Sequence, residues 1–264
     1  MIFNSFQFIV FFSLFFIGYW FLFKKQVKLQ NLFLLMGCYV FYAWADYRFL
    51  LFLVGVSALN YFLGIQIAKE NKYKRLFFFI GILQGILSLF LFKYLDFFIE
   101  VLQKVFHFFN LNSTLSTLEL LAPLGISFFT FRILSYIIDI NKGKIEPTKD
   151  PILFFSYVSF FPSLLSGPID KAQLLIPQLE KVRSFEYKQA SDGLRQFLWG
   201  LFKKVVVADS IAMFTAIYFE GYQDYGASTL LMSAALFTIQ IYADFSGYSD
   251  MAIGISKVLG LNIT

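Results

Sequence analysis

Long apolar runs separated by short polar ones dominate the chain: Phe6 to Phe23, Asn31 to Trp44, Phe49 to Ala68, Leu76 to Phe98, Leu120 to Ile140, Ile152 to Ser166, Gly200 to Phe219 and Leu230 to Leu259. A helix of about 20 apolar residues crosses the hydrocarbon of a bilayer, and only helices or closed barrels satisfy every backbone group there. The two-residue alternation of a barrel strand is absent. The runs therefore predict an all-α integral membrane protein, a helical bundle of about seven or eight spans. The runs starting at Asn31 and Ile152 are short, which suits either tilted partners of a hairpin or re-entrant segments kept inside protein.

Between Glu186 and Leu201 the pattern changes. Ala190, Leu194, Phe197, Leu198 and Leu201 share one helical face, with Gln189, Asp192 and Gln196 opposite. This predicts an amphipathic helix lying in the interface. No fixed-period or inverted repeat is visible, which weighs against a carrier.

The strongest basic loops are Lys24 to Lys28 and Lys69 to Arg75, and cytoplasmic loops are the ones enriched in Lys and Arg. With both inside, the first span runs inward and the N-terminus is extracytoplasmic. The next two spans form a hairpin turning outside near Asp46 to Arg48, and the fourth exits after Phe98. Glu100 to Glu119, with Asn110 and Asn112, is then an outer loop with some interfacial helix, and Lys142 to Asp150 returns inside. No Lys or Arg precedes Phe6 and no small-residue cleavage site follows Phe23, so the first run is expected to be a retained span.

Composition agrees: 58% of residues are hydrophobic and only 15% charged, against about 25% in soluble domains, and mean hydropathy is +0.68. The 38 Phe and 15 Tyr suit lipid tails and headgroup belts. The net charge of +5 sits mostly in short loops, which speaks to orientation and anionic headgroups and against nucleic acid as a partner. Residues 1–264 are expected to form a single membrane domain. Cys38, the only cysteine, excludes an internal disulfide or thiolate cluster. His107, the only histidine, has no Ser, Asp or Glu set around it and suits a surface or packing role. No metal constellation, phosphate loop or nucleophile elbow appears, and no bound cofactor is expected.

Polar groups at membrane depth are costly and so attract functional suspicion. In the last run Gln240, Asp244 and Tyr248 follow at i, i+4 spacing, and Tyr242, Ser246 and Asp250 form a second stripe. Neither stripe suits lipid, so the helix is expected among other helices, with Gly247 allowing close backbone approach or a local break. Gln240, Asp244, Ser246, Tyr248 and Asp250 are candidates for lining a polar tunnel; equally, the two carboxylates suit packing anchors paired with Lys or Arg. Lys203 and Lys204 are candidates for drawing an anionic acyl donor to the tunnel mouth, or for snorkelling to headgroups. Ser166, Gly167 and Pro168 break the sixth run and free backbone groups that something else must satisfy, as in a re-entrant turn. Pro123 opens the fifth run at its first turn. Arg132, deep in that run, suits an ion pair with Asp139 or Asp244.

Four stretches in order, Pro123 to Phe131 (PLGISFFTF), Phe160 to Ile169 (FFPSLLSGPI), Gly200 to Asp209 (GLFKKVVVAD) and Asp244 to Ile255 (DFSGYSDMAIGI), resemble the membrane-bound O-acyltransferase family. The branch they match contains bacterial alginate O-acetyltransferases and, more distantly, D-alanyl-lipoteichoic acid transferases. The resemblance implies a multi-pass protein of the bacterial inner membrane, a ring of helices around a tunnel. A cytoplasmic thioester donor, acetyl-CoA or an acyl carrier, would enter from one side. A hydroxyl of an exported polysaccharide such as alginate, presented with a periplasmic or surface partner, would meet it from the other. The family's catalytic His, within a Trp-Arg-Arg-Trp-His stretch, is expected shortly after Asn262 and beyond Thr264, so none of the 264 residues is assigned the catalytic role. His107 matches no position of that stretch, and this polypeptide alone is expected to be inactive. The alternative expectation is a non-catalytic membrane scaffold or transporter component.

Overall fold

The computed structural model describes all residues except 24–25, 70–71, 109–120 and 264. The basic pair Lys24 and Lys25, and Asn110 and Asn112 of the expected outer loop, lie outside the described residues. So does Thr264, the position past which the family's His is expected. Among those described, the chain is all-helical, without strands.

Ser5 caps α1 (Phe6–Ile17), its hydroxyl accepting from the Phe8 amide at 3.2 Å. The helix continues as a π turn, Gly18–Leu22, where Gly18 lets the Phe33 ring approach so closely that a Cβ would lie 2.5 Å from it. α2 (Val27–Ala43) and α3 (Arg48–Ala68) form the expected hairpin. Its turn is closed by the Arg48 guanidinium on Asp46, Nη2 to Oδ2 at 2.6 Å, and that bond holds the exposed Asp46 carboxyl below its ordinary pKa.

α4 (Lys74–Leu89), a π turn (Phe90–Tyr94) and α5 (Leu95–Phe108) make one rod, so the fourth run extends beyond Phe98 and the expected loop starts as helix. Asp96, Glu100, Gln103 and His107 recur along α5 at helical spacing. Together with α3 and α11 (Ala227–Val258), this rod is long and apolar enough to cross a membrane. The α1 rod, α2 and the Pro151–Ser163 segment are shorter apolar helices.

α6 (Ile126–Asn141) starts later than the apolar run suggested. Pro123 precedes the helix instead of sitting in its first turn, and Gly125 adopts a left-handed conformation at φ 71°. A Cβ there would also collide with the Leu164 carbonyl, so the site demands glycine twice over. α7 (Pro151–Val158) is capped by Asp150, whose carboxylate accepts from the Ile152 amide at 2.8 Å. It is short and almost wholly buried, as a segment kept inside protein must be. A single 3₁₀ turn (Phe161–Ser163) and α8 (Ala172–Glu180) follow.

The core is aromatic. Phe15 stacks on Phe33 at 5.2 Å and meets Phe161 edge-on at 5.6 Å, and Phe3 stacks on Tyr248 at 4.7 Å. The tail past α11 docks back on the first helix: Tyr19 and Trp20 donate to the Leu259 and Val258 carbonyls, and Leu259, Leu261 and Ile263 are buried.

Candidate functional site

α9 (Tyr187–Phe202), a π turn (Lys203–Ala208) and α10 (Asp209–Glu220) form a continuous rod alongside α11. Glycines set how close the rods come. A Cβ on Gly193 would lie 2.6 Å from the Gly254 carbonyl, and one on Gly200 2.5 Å from the Gly247 carbonyl. Gly193 and Gly200, like Gly247 and Gly254, are seven residues apart, so each pair returns to the same face after two turns. Gly247 thus serves close approach and leaves α11 unbroken.

This contact turns Gln196 of α9 inward, where it donates to Asp250 at 2.9 Å and accepts from Lys257 at 2.8 Å. Gln189 reaches Asn262 in the tail and Asp192 stays exposed beside Arg195. Leu194 and Leu198 are exposed, as the apolar face of a helix lying in the interface is expected to be.

The suspected residues of the last run meet this rod. Lys203 donates to Ser246 at 2.8 Å and to Asp250 at 2.5 Å. Lys204 lies 2.8 Å from Asp244 and 2.9 Å from Asp209. Gln240 accepts from the Thr215 hydroxyl of α10 at 2.6 Å. Lys203 and Lys204 and three of the five tunnel candidates, Asp244, Ser246 and Asp250, are therefore joined to one another across a seam, and Gln240 joins α11 to α10. Tyr248 points elsewhere, ring on Phe3, its hydroxyl buried without a hydrogen-bond partner among the described residues. Ile241, Tyr242 and Phe245 are exposed, so part of α11 does face outward, against the expectation that neither stripe would suit lipid.

Gly167, at φ 105°, brings the broken turn Ser166, Gly167, Pro168 against α11: a Cβ would lie 3.4 Å from Ala252 and 3.7 Å from Tyr248. Arg132 satisfies the backbone freed around this break. Its guanidinium donates to the carbonyls of Tyr157, Val158 and Ser163 and to the Ser163 hydroxyl, which itself donates to Asp170. Arg132 and Asp170 are each 1% exposed and lie 3.5 Å apart. The carboxylate partner is therefore Asp170, not Asp139 or Asp244; Asp139 faces Lys144 and Gln173. Asp170 carried no sequence signal beyond its place just past Pro168.

His107 is exposed on α5, and Cys38 is a buried free thiol facing the Phe161 amide at 3.4 Å. No cluster of three metal-ligating side chains exists among the described residues.

The four stretches thus converge. The first touches the second through Gly125, with Arg132 just past it reaching Ser163; the second touches the fourth through Gly167, and the third touches the fourth through Gly200, Lys203 and Lys204.

No family model matches the chain. It is 34% identical over 263 residues to a probable alginate O-acetylase of Pseudomonas aeruginosa, covering 98% of this chain and 50% of that protein. A peptidoglycan O-acetyltransferase of Helicobacter pylori is 33% identical over 278 residues, 94% of this chain and 52% of that protein. A teichoic acid D-alanyltransferase of Bacillus subtilis is 23% identical over 147 residues, 54% of this chain and 37% of that protein. The chain spans about half the length of the curated relatives it matches.

Proposed function

We infer, from the premise that the chain is a relative of the alginate O-acetylase branch of membrane-bound O-acyltransferases along 98% of its length, that it forms part of the membrane body of an O-acyltransferase. The reaction is transfer of an acyl group, an acetyl group by preference, from a cytoplasmic thioester to a hydroxyl of an exported polysaccharide. Acetyl-CoA or an acyl carrier is the donor, and the acceptor is alginate or a similar glycan. The protein crosses the inner membrane several times, with the N-terminus outside and the Lys69 to Arg75 loop inside.

The observation that carries this reading is that the four stretches join one another through successive contacts, in a chain matched along nearly its whole length by proteins named as O-acetylases or O-acetyltransferases. Within that reading the residues here build and hold the wall. The Lys203–Asp250 and Lys204–Asp244 pairs lock α9 to α11. Arg132 holds the Ser163 to Asp170 break in place beside Tyr248. The general base that takes the acceptor hydroxyl's proton is not assigned to any of these side chains; on the family's pattern it is a histidine beyond Thr264.

The test uses the complete natural product. Cells lacking the gene are compared with cells carrying it for ester-linked acetate on exported polysaccharide, and membranes holding the protein are supplied with labelled acetyl-CoA. Loss of acetate with the gene, and label transferred to glycan by the membranes, is the expected result. Unchanged acetate together with no label transfer overturns the reading and leaves a scaffold or transporter role.

A further inference from the structure

Beside α1 runs a groove that Lys203, Lys204, Asp244, Ser246 and Asp250 do not line. Three hollows of about 430, 140 and 510 Å³ follow it. The first two share Phe12 and Ser13, and the first and third share Phe16 and Phe185, so they adjoin along α1 and the segment around Phe185. Their α1 side runs from Phe8 to Phe21 with lining residues at every turn. At 1.5 Å per residue that is about 20 Å, comparable with the roughly 15 Å of one leaflet of hydrocarbon. The walls, Phe197, Leu194 and Val258 among them, are apolar.

The Phe21 end is different. Arg183 lines the third hollow with its side chain more than nine-tenths buried, at 7% exposure. Its Nε and Nη2 reach Gln30 and Asn31, but Nη1, itself buried, has no hydrogen-bond partner among the described residues. A buried guanidinium N–H without an acceptor is costly. Lys181 and Lys188, both exposed, flank this segment in the chain, and Lys28 stands two residues before Gln30; Glu180 and Glu186 are the acidic neighbours. Along the chain around this end of the slot, four cations thus stand against two carboxylates.

We propose that this groove holds one anionic phospholipid, its tail along α1 and its phosphate at the Arg183 end. The tail replaces empty apolar surface, and the phosphate supplies the negative charge that the basic end lacks. Anionic lipids enrich the cytoplasmic leaflet, the side on which the Lys24 to Lys28 loop was placed from the sequence.

The complete natural product, purified in mild detergent, is examined by native mass spectrometry with phosphatidylglycerol or phosphatidylethanolamine added. One retained phosphatidylglycerol is expected, preferred by about fivefold for each basic residue that meets the headgroup. Ser13→Trp, which fills the middle of the groove from an exposed position, is expected to abolish retention, and Lys188→Ala to reduce the preference by about fivefold. As a check independent of those variants, maleimide labelling of Ser13→Cys is expected to be slowed by phosphatidylglycerol and not by phosphatidylethanolamine. Equal binding of the two lipids overturns the proposal. So does full retention by Ser13→Trp, or a Ser13→Cys thiol blocked without any lipid, which would mean that a second copy or a further segment covers the groove.

Discussion

Burial separates two of the molecule's charged clusters, the one around Arg132 and the one around Lys203. Arg132 and Asp170 are each 1% exposed and share their hydrogen bonds with three backbone carbonyls and the Ser163 hydroxyl. The side chains of Lys203 and Asp250 are each 20% exposed, and Asp244 beside Lys204 is 52% exposed. The same chemical pairing therefore does different work. In the first cluster the charge stands in for a missing helix: α7 ends at Val158, and the guanidinium takes up the carbonyls of Tyr157, Val158 and Ser163 between there and the break at Ser166 to Pro168. In the second the helices are unbroken, glycine contact sets how they meet, and the ion pairs bridge them at a partly exposed edge.

The comparison predicts its own sharpest test. Arg132→Ala removes the cation facing Asp170 and leaves the carbonyls of Tyr157, Val158 and Ser163 buried without their guanidinium donor. The expected loss is about 3 to 5 kcal/mol, read as thermal unfolding in detergent. Arg132→Lys is expected to recover only a minor part, since one ammonium cannot span acceptors that the planar fork reaches together. Full recovery by Lys would reduce the cluster to a simple ion pair.

Next in size is the glycine seam. Gly200→Ala places a Cβ 2.5 Å from the Gly247 carbonyl, in contact with backbone that cannot swing aside. About 1 to 3 kcal/mol of destabilisation is expected. Gly55→Ala, whose Cβ meets nothing within 4 Å, serves as the control and should not destabilise. If the two behaved alike, close contact would not be what holds α9 to α11.

The seam's ion pairs come third. A double-mutant cycle on Lys203→Ala and Asp250→Ala is expected to give a coupling of about 1 kcal/mol or less, because partial exposure screens the pair. A coupling comparable with the Arg132 loss would erase the distinction between the two regions.

Smallest is the exposed Asp46–Arg48 turn. The arginine holds the Asp46 carboxyl below its ordinary pKa, so the contribution is present above that ordinary value and disappears as pH falls through the lowered one. Between neutral and strongly acidic pH, the protein should lose slightly more melting temperature than its Asp46→Asn variant. No difference between them would leave the turn without a measurable electrostatic part.

Much of this was legible from residues alone. The apolar runs mark most of the helices, the turn at Asp46 to Arg48 lies where it was expected, and Gly167 and Pro168 mark the break. The four stretches pointed to the family, and the relatives bear that out. What was misread has a common cause. Placing Pro123 inside a helix and pairing Arg132 with Asp139 or Asp244 both required knowing what stood on the other side of an element. Asp170 is the clearest case: two residues past a proline in a polar-looking turn, it gives no local sign of being buried opposite an arginine 38 positions earlier in the chain.

The sequence by itself determined that the chain is helical, membrane-sized and punctuated by glycine and proline, because hydrophobic run length and residue-specific backbone limits act locally. Only the tertiary structure decided which charge meets which. A period of 3.6 says which residues share a face of one helix, whereas partners across helices depend on rotation and depth. Here those are set by glycine contacts a few ångströms wide between Gly193 and Gly254 and between Gly200 and Gly247.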